Sequence, residues 1–88
     1  MVSSRMRRGA PGLRQLQRRL ATNIRLLRRA RDFSQEELSS AAGLAVRHLQ
    51  KIEAGEVNFT LKTLVSLAAA LDVDAQVLLQ EPQRDRGR

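Results

Sequence analysis

In the stretch SQEELSSAAGLAVRHLQKIEAG, Ser34 to Gly55, a glycine separates two helical patterns and the second resumes almost at once. A glycine so placed marks a backbone position with positive φ, which a residue carrying a Cβ tolerates poorly. The helix before Gly43 therefore stops sharply, and the next begins at Ala45. Two helices joined by so short a glycine-containing turn cross steeply, as in a helix-turn-helix. Ser34 and Glu37 form an S-x-x-E capping box that starts the first of the pair. The apolar pattern agrees. Leu38 and Ala42 on the first helix, Leu44 in the turn, and Leu49 with Ile52 on the second point into the angle, where small Ser39 permits close approach.

The remaining chain is helical as well. Leu13, Leu16, Leu20, Asn23, Ile24 and Leu27 share one arc of a helical wheel, with Arg14, Arg18, Arg25 and Arg29 opposite, which predicts an amphipathic helix with an arginine stripe. Asp32 and Phe33 interrupt it. Gly55 stops the third helix, and Thr60 caps a fourth whose buried face is Leu61, Leu64, Leu67, Ala68 and Leu71. Asp74 caps a short fifth containing Val77 and Leu78. Strand-like alternation is lacking, so the expected fold class is all-α, a compact five-helix domain over residues 13–80. Residues 1–12 and 81–88 lack apolar periodicity and read as a flexible basic arm and a flexible tail.

With 88 residues and no cysteine, such a domain has one modest core held by packing rather than by disulfides. No stretch approaches the ~18 consecutive apolar residues of a membrane span, and the first thirty residues lack the apolar run of a signal peptide, so an intracellular protein is expected. The net charge of +7 is unevenly placed: Met1 to Arg31 holds ten arginines and no acid, whereas Asp32 to Gln83 holds three basic and eight acidic residues. Such asymmetry points to a polyanionic partner, nucleic acid before anionic membrane. An organelle transit peptide is the competing reading of the arginine-rich front, but the arginine pattern runs directly into the core pattern. His48 is the only histidine, which leaves no ordinary zinc site and no implied cofactor. Ser34, Ser39 and Ser40 lack a base and an orienting carboxylate, and Glu36 and Glu37 are neighbours on a surface, so an enzyme is not expected.

With Leu49 and Ile52 facing inward, Arg47, Gln50, Lys51 and Ala54 face away from the core, flanked by Val46 and His48. Two cations and an amide on one exposed face suit the base edges of guanine and adenine in a major groove, and Val46 suits a thymine methyl. A solvated helix face is the plainer reading of those residues taken alone.

The segments IRLLRRARDFSQEEL, AAGL, LQKIEAG and LKTLVSLAAALDVDAQVLL together resemble the lambda-repressor/Cro-like helix-turn-helix family, also called the Xre family, from about Leu20 to Leu79. The resemblance implies a five-helix domain that binds duplex DNA, generally as a dimer on a two-fold related operator. Carried over residue by residue, it implies that Val46, Arg47 and Lys51, with Gln50 nearby, read bases. Gln35 and His48 fall where phosphates are held, and Gly55 and Asn58 lie in the loop whose backbone amides meet the DNA. Arg28 and Glu53 match a buried ion pair that ties the first helix to the third.

Two departures stand out. Ala45 occupies the cap and backbone-contact position where the family usually has serine or threonine, so the third helix lacks a side-chain cap worth about 1 kcal/mol. Phe59 stands where many members have proline and reads as a plug into the core, while Glu56 in the same loop repels phosphate. Arg5, Arg7, Arg8, Arg14, Arg18 and Arg19 read either as a solubilising tail or as an arm that tracks phosphates or a minor groove. The expectation is a cytoplasmic, nucleoid-associated, sequence-specific regulator of repressor type, a homodimer through apolar residues near Leu71, Val73, Val77 and Leu79. An antitoxin, a restriction-modification controller and a phage-type repressor all fit. The alternative is a protein-interaction module whose partner is a toxin or a component of RNA polymerase.

Overall fold

The computed structural model describes residues 12–82, and among these it contains five helices and no strand. They are α1 (Leu13–Ala30), α2 (Gln35–Ala42), α3 (Val46–Glu53), α4 (Leu61–Ala70) and α5 (Ala75–Leu79). The arm residues Arg5, Arg7 and Arg8, and the tail beyond Pro82, lie outside the described residues.

Local chemistry sets the helix limits. Ser34 Oγ accepts the Glu37 N–H at 2.9 Å while Glu37 Oε1 accepts the Ser34 N–H at 2.8 Å, completing the capping box of α2. Thr60 Oγ1 accepts the Thr63 N–H at 3.1 Å at the start of α4, and Asp74 Oδ1 accepts the Gln76 N–H at 3.1 Å at the start of α5. Ala45 begins α3 with no side-chain cap.

Helices α1 to α4 end in one manner. A left-handed residue follows each, Asp32 (φ 57), Gly43 (φ 73), Gly55 (φ 73) and Asp72 (φ 59). The next residue's N–H then returns to a carbonyl in the last turn: Phe33 to Arg28, Leu44 to Ser39, Glu56 to Lys51 and Val73 to Ala68. These are Schellman closures. The two glycines are evident in the sequence. The two aspartates adopt the same conformation because their short polar side chains tolerate it better than most residues.

After three of these closures the chain turns an apolar side chain, Phe33, Leu44 or Val73, back onto the core. That core is Ile24 from α1, Leu38 from α2, Leu49 and Ile52 from α3, Leu64, Leu67 and Ala68 from α4, Leu71 just after it, and Leu78 from α5. Helix α1 packs on α3 and α5, and α2 packs on α3 and α4, so α3 is gripped from two sides. Phe59 is half-buried against this core.

Three expectations need correction. Leu61 is 77% exposed, because it opens the first turn of α4 before that helix reaches the core. Leu71 is fully buried, and Val73 and Val77 are half-buried, so of the expected dimer patch only Leu79 is exposed. Arg25 is not a solvated member of the arginine stripe, since it is half-buried and hydrogen-bonded to the end of α3.

Asn23 lies on the apolar arc of α1 and is buried there. Its Nδ2 donates to the carbonyls of Leu78 at 3.0 Å and Gln80 at 2.8 Å, satisfying the C-terminus of the short α5. Asn23→Asp keeps the size but replaces the donor with an acceptor facing carbonyl oxygens. We expect it to cost about 2–3 kcal/mol in chemical unfolding, against about 1 kcal/mol for Gly43→Ala. A Cβ at Gly43 meets nothing within 4 Å, so only the backbone conformation is penalised.

Candidate nucleic-acid interface

Helix α3 is two-sided because 3.6 residues per turn place Leu49, Ile52 and Glu53 on the inner side. All three are buried, whereas Arg47, Gln50, Lys51 and Ala54 are exposed and Val46 and His48 are half-buried. Arg47 and Lys51 are one helical turn apart and make no ion pair among the described residues. The outer face thus offers two unpaired cations and an amide, with an aliphatic side chain at its N-terminal edge.

The buried Glu53 fixes this face relative to the rest of the domain. Arg28 Nε donates to its Oε2 at 2.7 Å and Arg28 Nη2 to its Oε1 at 3.1 Å, a fork geometry that holds the carboxylate in one plane. The third branch, Nη1, donates to the Phe33 carbonyl at 2.9 Å, so the same guanidinium also fastens the turn after α1. The two side chains are 11% and 3% exposed. Arg25 Nη1 donates to the Glu53 backbone carbonyl at 2.7 Å, supplying a partner and a positive charge at the C-terminus of α3.

Gln35, at the first turn of α2, is drawn into the same cluster. Its Nε2 donates to Glu53 Oε1 at 3.0 Å, and its Oε1 faces Gln50 Nε2 at 3.4 Å. Gln35 therefore stands between the ion pair and the outer face of α3. The loop after α3 is held against α1: Gln17 Nε2 donates to Asn58 Oδ1 at 3.2 Å, and a Cβ at Gly55 would lie 3.9 Å from Ala21 Cβ and from the Gln17 carbonyl. Ala45 and Asn58 are exposed and Gly55 is half-buried.

Arg14 and Arg18 are exposed on α1, and Arg19 is half-buried. The side-chain roles of Arg25, Gln17 and Gln35 within this cluster are not visible in the sequence pattern. The wheel placed Arg25 in solvent, and contacts that cross from one element to another leave no periodic trace. No group of three His, Cys, Asp or Glu among the described residues is placed to hold a metal ion.

Removing one partner of the ion pair strands the other. We expect Arg28→Met to cost about 3–5 kcal/mol and the Arg28→Met, Glu53→Met double variant distinctly less, read from urea unfolding. A double variant as unstable as the single would show that packing, not the uncompensated carboxylate, dominates.

Comparison with known proteins gives a consistent picture. Residues 24–78 match the helix-turn-helix family HTH_3. The chain is 40% identical over 60 residues to the control protein C.SmaI of Serratia marcescens, spanning 68% of this chain and 71% of that protein. Among solved structures, it superimposes on the hypothetical transcription factor NHTF from Neisseria with a TM-score of 0.76 and 38% identity, covering 82% of this chain and 83% of that one. It also superimposes on the restriction-modification controller protein C.AhdI from Aeromonas hydrophila, with a TM-score of 0.69 and 32% identity over 70% of this chain and 94% of that one. The chain belongs to the HTH_3 helix-turn-helix family, of the Cro/C1 or Xre type, a family of DNA-binding transcriptional regulators.

Proposed function

We propose that this protein is a sequence-specific reader of duplex DNA that regulates transcription, with α3 in the major groove and no catalytic activity of its own. The observation that carries this reading is the outer face of α3: Arg47, Gln50 and Lys51 are exposed together while the opposite face is locked by a buried ion pair. Arg47 and Lys51 donate to guanine O6 and N7, Gln50 bonds an adenine, and Val46 meets a thymine methyl. His48, Ala45 and the backbone of Gly55 and Asn58 contact flanking phosphates, which fix register without reading sequence. Its place of work is the cytoplasm, on the nucleoid. Its likeness to the control protein C.SmaI and to the restriction-modification controller protein C.AhdI supports that kind of regulator over a module for a toxin or polymerase partner.

The working form is a homodimer whose two α3 helices lie about 34 Å apart to meet successive major grooves. Support comes from the apolar surface beside α4, where Leu13 is 61%, Leu61 77%, Val65 58% and Leu79 37% exposed. Leu13, Leu61 and Leu79 also line a mainly apolar cleft of about 180 Å³ between α1, α4 and the loop after α3. Of the surface expected from the sequence near Leu71, Val73, Val77 and Leu79, this patch keeps only Leu79. Arg14 and Arg18, with the arm residues Arg5, Arg7 and Arg8, add phosphate contacts, each lowering log K by about 0.9 per log unit of salt.

Selection of bound sites from a random duplex library tests the reading. Wild type yields an inverted repeat, and the Arg47→Ala, Lys51→Ala double variant loses it while keeping its folded stability. Salt-sensitive binding without any motif would contradict it, because phosphate contacts alone would then account for affinity.

A further inference from the structure

Helix α1 follows the end of α3 and the loop beyond it along one side. Gln17, Ala21, Arg25 and Arg28 recur every three or four residues and so share that side. Arg28 holds the Glu53 carboxylate, Arg25 holds the Glu53 carbonyl, Ala21 lies beside Gly55, and Gln17 Nε2 donates to Asn58 Oδ1 at 3.2 Å. The last of these contacts is made by a part of α1 that precedes residue 24, where the family match begins.

The side chains of the loop alternate in and out. Val57 and Phe59 are half-buried and line the cleft with Leu16 and Leu20, whereas Glu56, Asn58 and Thr60 are exposed. Glu56 is an anion, and the Thr60 hydroxyl is engaged with Thr63 at the start of α4. That leaves Asn58 to offer a donor outward. Its oxygen is occupied by Gln17, so Nδ2 faces away from α1 and has no partner among the described residues. A reversed Asn58 amide would set two nitrogens against each other and turn an oxygen outward, where it repels an anion.

We infer that Gln17 is a positioning residue that fixes the Asn58 amide with its nitrogen outward and so makes this side chain a donor to one backbone phosphate of the DNA. The inference rests on the DNA-reading function proposed above, and it gives the first turns of α1 a part in binding that does not depend on their charge. An arginine attracts phosphates over a distance, whereas an oriented amide acts on the single phosphate it touches.

The test is a cycle between protein variants and single phosphates. Wild type, Gln17→Met, Asn58→Ala and the double variant are each titrated with the duplex selected by wild type and with versions in which one phosphate at a time is replaced by an uncharged methylphosphonate. Thermal unfolding of each variant monitors the fold. Wild type is expected to lose about three- to tenfold in affinity at one phosphate per half-site that Asn58→Ala no longer senses, the loss of one hydrogen bond to a charged oxygen at an exposed site. Gln17→Met shrinks that loss to under about twofold and leaves the losses at the other phosphates, and the base preferences, unchanged. In the Asn58→Ala background the same substitution has no further effect.

A Gln17→Met variant that binds every duplex more weakly by the same factor, or that keeps the full loss at the Asn58 phosphate, would overturn the inference while leaving the DNA-reading function intact. A wild type that selects no motif would overturn both. If Gln17→Met does not fold, Asn58→Ala decides alone: it removes an exposed side chain, and losses that stay the same at every phosphate refute the assignment.

Discussion

A single buried carboxylate governs the geometry of this domain. Glu53 sits at the inner end of α3, where an unpaired charge would be costly, and Arg28 neutralises it with a fork that permits only one mutual orientation. The ion pair joins two helices far apart in sequence, and Arg25 adds a second bond to the backbone of the same residue. The direction in which Arg47 and Lys51 point follows from this attachment. Burial of Leu49 and Ile52 decides which face of α3 is outward, while the ion pair decides how that face is set against α1 and α2.

The second constraint is economy of turns. A domain of this size cannot spend many residues on connections, and here four helices end in the same left-handed closure. Each closure satisfies late carbonyls and redirects the chain within one or two residues. At Gly43 the result is a close packing of α2 on α3, which brings Gln35 at the start of one helix beside Gln50 on the other. The same packing leaves the first turn of α2 next to the outer face of α3.

Much of this was legible in the residues. The capping box at Ser34 and Glu37, the stop at Gly43 and the buried face of Leu49 and Ile52 follow from local chemistry and a 3.6-residue period, and the structure has them at those positions. The left-handed turns at Asp32 and Asp72 were harder to read, because aspartate adopts that conformation only occasionally. Leu61 and Arg25 were misplaced for opposite reasons. Leu61 satisfies the wheel but lies one turn outside the core, whereas Arg25 points outward on the wheel yet has the length to reach back to α3. Arg28 and Glu53 could be paired beforehand only through the family resemblance, since 25 residues separate them and no period links them. The contacts of Gln35 with Glu53 and Gln50 depend on the angle between two helices, which sequence does not encode locally.

A crystal structure of the protein on its selected duplex tests the central claim most directly. The account predicts α3 in the major groove, Arg47, Gln50 and Lys51 within hydrogen-bonding distance of base edges, and Arg28 still paired with Glu53 as in the free protein. A complex in which α3 faces away from the bases and the arginines of α1 alone meet the phosphates would contradict it.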